Sequence, residues 1–454
     1  MRPSLRLAAI LAAATTSLSA QQANRGALLA RIDSIVKAEM DASHTPAMSV
    51  AVEQKGELIL SKGYGFANIE LSVPATAETV YRIGSITKQF TSSIIMQLVE
   101  AGKISLDDPI TKFLPDYPTQ GNTVTIHHLL THISGIKSYT SLGPKFWNEA
   151  SRLDLSDSAL IASFKDKPFD FAPGAKYQYN NSAYYLLGVI IGKVTGTPYR
   201  QYINEKIAPL AGLQSTSYCD ESPIIPHRAQ GYEYRDGKLI NDDPISMNTP
   251  GAAGGICSTV TDLLSWRHAL FGGRVVSNAS LEKMTTPAKL NDGSSTGYAY
   301  GLGIGKLSGH RRISHGGGIN GFITQLAYYP DDDVTVVVLG NLGASPSDRV
   351  ASMVARVVLG IGLPVVKDVA TNADERARIV GTYALGNNTL KIGEEGGNLI
   401  FNGPGGPQKL KSQGDGRYVP EKLIEWVVRF TPESGQAQEI AIDIGDTVMK
   451  GKRK

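Results

Sequence analysis

One stretch constrains this chain more than any other, and the rest is organised around it. Ile86, Phe90, Ile94 and Leu98 recur at helical spacing, and Ala101-Gly102-Lys103 supplies a stop with glycine just past the last periodic residue. The pattern predicts an apolar helix opening near Ser85 and ending near Glu100. Ser85 and Lys88 stand three residues apart, so a hydroxyl and an amine share one helix face and can meet. Unpaired N–H groups and the positive dipole end at a helix start favour a developing alkoxide. A nearby base together with such a field turns a weak hydroxyl into a nucleophile.

The spacing S-x-x-K is not unique here. It recurs at Ser34–Lys37 and Ser280–Lys283, which read as exposed helix faces, and at Ser134–Lys137, where Gly135 indicates a loop. Ser85 differs by its context: Gly84 precedes it, a strongly apolar helix follows, and two partner segments lie downstream.

A chain of 454 residues implies two or three compact units, and 42% apolar against 19% charged residues describes a globular protein. Net charge is only +3, and the basic cluster Lys450, Lys452, Arg453 and Lys454 reads as a tail, so no nucleic-acid surface is expected. No internal stretch reaches the roughly 20 apolar residues of a transmembrane segment. At the N-terminus, Arg2 and Arg6 precede Leu7–Ala14 and small residues at Ser17, Ser19 and Ala20. Residues 1–20 thus read as a signal peptide without a lipid-anchor cysteine, implying a periplasmic or secreted protein. Cys219 and Cys257 could pair in an oxidising compartment, but two lone cysteines in a large core read more simply as small buried hydrophobes.

Arg25–Ala42 predicts an amphipathic helix, and Met48–Val52 with Leu58–Ser61 a hairpin around Lys55-Gly56. From Leu106 to Thr249 short helices alternate with Pro- and Gly-rich loops, including a helix over Ser182–Val194. After the helix Thr261–Phe271, strands resume at Arg312–His315, Ile319–Tyr329 and Val334–Leu339, separated by Gly316-Gly317-Gly318 and Pro330–Asp333. A helix over Ser347–Leu359 should pack on them. The fold class is α+β: an antiparallel sheet flanked by helices plus a helical subdomain, over residues 24–362. Gly362-Leu363-Pro364 and Thr371-Asn372-Ala373-Asp374 read as a linker. Residues 375–454 predict a small all-β barrel or sandwich, with strands at Gly381–Leu385, Leu390–Ile392, Leu399–Phe401, Lys409–Lys411, Trp426–Phe430 and Glu439–Ile444.

The two downstream segments have the chemistry that Ser85 and Lys88 need. Tyr179-Asn180-Asn181 is a Y-x-N, offering a phenol to shuttle a proton and an amide to hold a carbonyl. Tyr202-Ile203-Asn204 has the same letters, but the Pro173-Gly174 turn and the following helix favour the first. His315-Gly316-Gly317-Gly318 offers backbone N–H groups unblocked by side chains.

Together, in this order, the three motifs resemble the serine β-lactamase and penicillin-binding-protein family, in its class C-like branch with related esterases and D-aminopeptidases. Leu130–Gly135, Pro173-Gly174, Gly254-Gly255-Ile256 and Tyr300–Gly303 also look like that family, over about residues 25–360. The tail resembles the lipocalin-like domain of many secreted relatives. The resemblance implies Ser85 as nucleophile, with Lys88 and Tyr179 sharing acid–base work. It implies Asn181 on the substrate's side-chain carbonyl, and Ser85 and Gly318 N–H groups as the oxyanion hole. No metal or cofactor is implied. The expected partner is a small-molecule or peptide substrate: a β-lactam, a D-amino-acid peptide or a simple ester. One departure stands out. Penicillin-active members usually present Lys where this chain has His315, and a neutral histidine argues against tight recognition of a β-lactam carboxylate. A relict binding or scaffold protein is the second reading, opposed by the complete set Ser85, Lys88, Tyr179 and Asn181.

Overall fold

The computed structural model describes residues 4–454 other than 364, 386–387, 404–405, 424–425 and 445–446, and of residues 4–23, 388, 444 and 447 the backbone alone. Arg2 of the expected leader and Pro364 of the expected linker lie outside the described residues. The chain divides into two compact units, residues 1–304 with 313–361, and residues 305–312 with 362–454.

In chain order, α1 (Ser4–Ser43) leads to β1 (Ala47–Gln54), β2 (Glu57–Asn68) and β3 (Val73–Pro74). Then β4 (Tyr81–Arg82) runs through a single 3-10 turn, Gly84–Ile86, into α2 (Thr87–Glu100). The helical layer includes α3 (Ile126–Leu130) and α4 (Asn181–Thr195), followed by β5 (Ser217–Tyr218), the hairpin β6 (Tyr232–Arg235) and β7 (Lys238–Asn241), α5 (Gly251–Gly254), β8 (Ile256–Ser258) and α6 (Val260–Phe271). Finally come β9 (Gly303–Leu307), β10 (His310–Ile319), β11 (Phe322–Tyr329), β12 (Val334–Gly340) and α7 (Ser347–Val358).

The main sheet is seven-stranded, in the order β3-β2-β1-β12-β11-β10-β9. Its centre is the antiparallel pair of β1 and β12, with Val50 opposite Val338, and both strands are buried on both faces because helices cover them. The apolar stripe of α2 is buried as its periodicity requires: Ile86, Phe90, Ile94 and Leu98 are at most 4% exposed. Phe90 stacks on Trp266 of α6 with ring centroids 3.7 Å apart. Each such buried side chain stabilises by about 1.5–3 kcal/mol. The helix that follows Ser85 is thereby fixed from its buried side.

The glycine run does not separate two strands. Gly316, Gly317 and Gly318 lie inside β10 and pair with Gln325, Thr324 and Ile323, and the turn falls instead at Asn320-Gly321. A two-residue loop with glycine in the left-handed region (φ 73° at Gly321) is what a tight hairpin needs. Ser280 is also not on an exposed face: it is 4% exposed, in the helix Asn278–Thr285.

Cys219 and Cys257 form a disulfide, contrary to the reading as free hydrophobes. Its origin is local: β5 pairs antiparallel with β8, Ser217 opposite Cys257, and Cys219 N donates to Gly255 O at 2.8 Å. That register brings the two Cα atoms to 5.0 Å, within bonding reach.

In the second unit, β13 (Gly381–Leu385), β14 (Asn388–Glu395), β15 (Asn398–Gly403), β16 (Gly406–Ser412), β17 (Arg417–Pro420), β18 (Val427–Thr431), β19 (Glu439–Ile444) and β20 (Thr447–Arg453) close into an antiparallel barrel. This is lipocalin-like architecture. Tyr383, Ile392, Phe401 and Val428 fill its core. Two corrections follow. The basic cluster is no tail: Lys452 and Arg453 sit on β20 and pair with Ala384 and Tyr383, closing the barrel. The Arg453 guanidinium donates to the carbonyls of Val380 and Arg378, which a sequence count of charges does not reveal. Likewise Ala373 and Asp374 begin a short helix, α8 (Ala373–Ile379), capped by Asn372, whose Oδ1 accepts from Glu375 N at 2.8 Å.

Candidate active site

The turn bearing Ser85 is held from two sides. Tyr81 and Arg82 pair with Ser258 and Cys257, and Ile83 N donates to Ile256 O at 2.9 Å. From the main sheet, Thr324 Oγ1 donates to Ile83 O at 2.9 Å. Gly317 has to be glycine, since a Cβ there would overlap Ile83 O and Thr324 Oγ1. Gly84 adopts φ 51°, and a Cβ on it would stand 2.8 Å from Gly318 N. The backbones around Ser85 and Gly318 therefore abut, the juxtaposition that two oxyanion-hole N–H groups require. Ser85 itself stays half-buried, accessible to a substrate.

Lys88, one turn further, is wholly buried. Its Nζ lies 3.0 Å from Ser85 Oγ, 2.7 Å from Asn181 Oδ1 and 2.8 Å from Ala253 O. It also lies 4.6 Å from the centre of the Tyr179 ring. Burial pushes the Lys88 ammonium well below the ordinary lysine value, favouring the amine. A neutral amine has two N–H donors and one lone pair. Asn181 Oδ1 and Ala253 O can only accept, so they take the two N–H groups and leave the lone pair for the Ser85 hydroxyl.

Tyr179 and Asn181 lie at the start of α4, in a loop sewn to the run that follows α3. Asn180 caps α4, its Oδ1 accepting from Ala183 N at 3.0 Å, and its amide reaches back to Ile136 O. Asn181 N donates to Ser138 Oγ at 3.3 Å, and Tyr139 N to Ser182 Oγ at 2.8 Å. The Tyr179 hydroxyl is buried without a hydrogen-bond partner of normal geometry. Burial raises its phenol well above the ordinary tyrosine value, opposed by the nearby Ser85 hydroxyl. It is therefore a neutral phenol at physiological pH. The second Y-x-N is structural: Asn204 Oδ1 accepts from Tyr218 N at 2.8 Å.

His315 is buried on β10. Its Nδ1 contacts Gly316 O at 2.6 Å, an atom that can only accept, so Nδ1 carries the proton. Nε2 then accepts from Tyr298 Oη at 2.8 Å. Burial, aided by the neighbouring Lys88, pushes His315 down to about 3. It presents no positive charge at neutral pH.

Ser85, Lys88, Tyr179, Asn181, His315 and the glycine run thus converge. Sequence reasoning missed Ala253 and Tyr298. Their only trace was adjacency to the Gly254-Gly255-Ile256 and Tyr300–Gly303 runs. A cavity of about 810 Å³ opens elsewhere in this unit, lined by Tyr117, Tyr185, Tyr199 and Tyr218, and contains none of these groups. Chemistry, not the size of an opening, selects the site at Ser85.

Known proteins resemble this chain in sequence and in fold. Protein flp of Staphylococcus aureus (strain MRSA252) is 28% identical over 321 residues, 69% of this chain and 63% of that protein, so the chain spans less than two thirds of that relative's length. The octameric penicillin-binding protein homologue from Pyrococcus abyssi superposes with a TM-score of 0.68 at 27% identity, over 93% of this chain and 100% of the homologue. A D-stereospecific amidohydrolase from Streptomyces sp. gives a TM-score of 0.63 at 28% identity, over 73% of this chain and 99% of its own. The model of the beta-lactamase family matches residues 32–359, well over half of the 454, and the chain belongs to that family.

Proposed function

We propose that this protein is a secreted serine hydrolase that opens amide or ester carbonyls through an acyl-enzyme on Ser85. The observation that carries the reading is the buried Lys88 amine 3.0 Å from Ser85 Oγ, with its other two contacts at acceptor-only oxygens. Lys88 takes the Ser85 proton as Oγ bonds to the substrate carbonyl carbon. Negative charge on the carbonyl oxygen is met by the N–H groups of Ser85 and Gly318. Tyr179, protonated and unpartnered, hands a proton to the leaving amine or alcohol as the C–N or C–O bond breaks. Water then attacks the acyl carbon by the reverse relay and frees Ser85.

The substrate is a D-amino-acid amide or short D-peptide, or a neutral ester, more than a penicillin. His315 is neutral and its ring nitrogens are engaged, so it offers no cation to a substrate carboxylate. A cavity of about 370 Å³ adjoins Gly318 and is lined by Glu233, Asp242, Asp243 and Arg235; Asp243 is ion-paired with Arg152 and Arg235, which leaves Glu233 and Asp242 as the carboxylates that could face a free ammonium. The likeness to a D-stereospecific amidohydrolase points the same way. Secretion rests on the leader pattern at residues 1–20; among the described residues no helix is long and apolar enough to cross a membrane.

The test is a panel of D- and L-amino-acid amides, p-nitrophenyl acetate and nitrocefin, with fluorophosphonate labelling of wild type and Ser85→Ala. Wild type should label and hydrolyse D-amides and the ester well ahead of nitrocefin, and Ser85→Ala should do neither while keeping its circular dichroism. Absence of label on wild type across pH would end the hydrolase reading, and preference for nitrocefin would end the substrate assignment.

A further inference from the structure

His132 belongs to the Leu130–Gly135 run, and the mechanism above does not use it. It is fully buried, and its backbone has φ 61°, a left-handed conformation that non-glycine residues rarely adopt and that persists where surrounding structure fixes it. What fixes it is the loop carrying Tyr179. Gln178 N donates to His132 O at 3.0 Å, and Asn180 N donates to His132 Nδ1 at 3.1 Å. The residues on either side of Tyr179 are thus both tied to one histidine, one through its carbonyl and one through its ring. Three tyrosine rings surround the imidazole, those of Tyr179, Tyr298 and Tyr184, at 4.3, 4.7 and 5.1 Å between centroids.

The bond from Asn180 N settles the tautomer. Nδ1 must accept, so the proton of the neutral ring sits on Nε2, which is buried without a partner. Protonating Nδ1 would set two donors against each other at 3.1 Å. Burial, with Lys88 and His315 nearby, holds His132 well below the ordinary histidine value and keeps the ring in this accepting form.

We propose that His132 is a positioning residue for the reaction: as a neutral Nε2–H imidazole in a left-handed turn, it pins the backbone on both sides of Tyr179 and so aims the phenol at Ser85 and its substrate. This rests on the reading of Ser85, Lys88 and Tyr179 as the reacting groups. A filler of the space among the tyrosines would need only bulk, whereas the positioning role needs an acceptor and a residue that tolerates φ near 60°. Asparagine has both, and its Oδ1 can stand where Nδ1 does. Leucine has bulk and neither property.

The experiment compares His132→Asn with His132→Leu on the full chain, and reads the wild-type tautomer by ¹⁵N NMR of labelled histidine. His132→Leu should lower kcat about 10²-fold with KM within about twofold, the size expected when a catalytic group shifts by about 1 Å. His132→Asn should stay within about threefold of wild type. Leucine performing as well as asparagine, kcat within threefold of wild type in the leucine variant, or an Nδ1–H tautomer would each overturn the proposal. If His132→Leu does not fold, His132→Gly, which keeps the turn and loses the ring acceptor, replaces it. If wild type hydrolyses nothing, the proposed function has failed separately. The His132 assignment is then decided by the tautomer and by hydrogen exchange at Asn180 N–H, which loss of the acceptor should speed at least tenfold; unchanged exchange would overturn it.

Discussion

Breaking the Cys219–Cys257 bond should lower stability measurably and leave the chemistry nearly intact. The bond closes a loop of 38 residues. Loop-closure entropy for that length gives about 13 cal/mol/K, or about 4 kcal/mol at 25 °C. For a unit of roughly 350 residues, at about 2.1 cal/mol/K of unfolding entropy per residue, this corresponds to a Tm lower by about 5 °C. The perturbation is Cys219→Ala with Cys257→Ala, alanine being chosen because a buried serine hydroxyl would add a penalty of its own. Dithiothreitol-treated wild type supplies a second arm. Tm would be followed by circular dichroism, and thiols counted with Ellman's reagent in denaturant, where the untreated protein should show none. Fluorophosphonate labelling at 25 °C should stay within about threefold of wild type, because Ile256 holds Ile83 and Thr87 through its backbone groups, which no cysteine supplies. A Tm change under about 1 °C in both arms would refute the reasoning. So would a collapse of labelling with the fold preserved, which would make the bond part of the site.

Tyr179→Phe should cut kcat by about 10²-fold or more, the range for a positioned acid–base group, and a loss under about threefold would move the relay to Lys88 alone. Activity should rise with pH along one limb as Lys88 loses its proton, with an apparent pKa well below 10.5, and hold a plateau through neutral pH; a limb in the ordinary lysine range would contradict a neutral amine. Stability should fall as pH drops from 6.5 towards 3. His132 and His315 both have lowered folded-state values, so the unfolded chain binds more protons across that window. A Tm at pH 5 equal to or above that at pH 7 would count against two buried neutral histidines. Ser34→Ala and Ser280→Ala should each leave turnover within about twofold, and a loss in either with normal folding would mean that the wrong S-x-x-K had been chosen.

Much of the candidate site was legible because its chemistry would lie in short local patterns. Ser85 and Lys88 are three residues apart, and a 3.6-residue period announces the helix that carries Lys88 and follows directly on the turn bearing Ser85. The Y-x-N was recognisable by its own turn and helix. Long-range consequences were not legible. The glycines of β10 look like a turn because glycine usually marks one; in the strand, the approach of Ile83 and Thr324 requires Gly317, and Gly318 abuts Gly84. The disulfide follows from the register of two very short strands, β5 and β8, which no periodicity reveals. Arg453 and Lys452 looked like a solvated tail because barrel closure depends on a strand pairing with one about 70 residues earlier. β17, four residues long, is too short to leave an alternating pattern.

The electrostatics of the site follow from burial more than from the side chains themselves. An ordinary lysine is cationic at neutral pH and an ordinary histidine partly so, yet here burial drives Lys88 to the amine and holds His132 and His315 as neutral rings, beside a Tyr179 that stays a phenol. Four titratable groups packed together would repel if two were cationic, and in a low-dielectric site that repulsion is large. Keeping all four neutral removes it, and leaves the first separation of charge to occur when Ser85 attacks. In the proposed reaction the alkoxide would then form beside the proton that Lys88 has just gained, and the developing oxyanion beside the N–H groups of Ser85 and Gly318. Such a site stabilises charge only where the reaction creates it, which is the condition for lowering the barrier without tightening the ground state. It also has no standing cation to reward a substrate carboxylate. On the proposed reading, the same neutrality that equips Lys88 as a base therefore favours substrates with no carboxylate for a cation to hold.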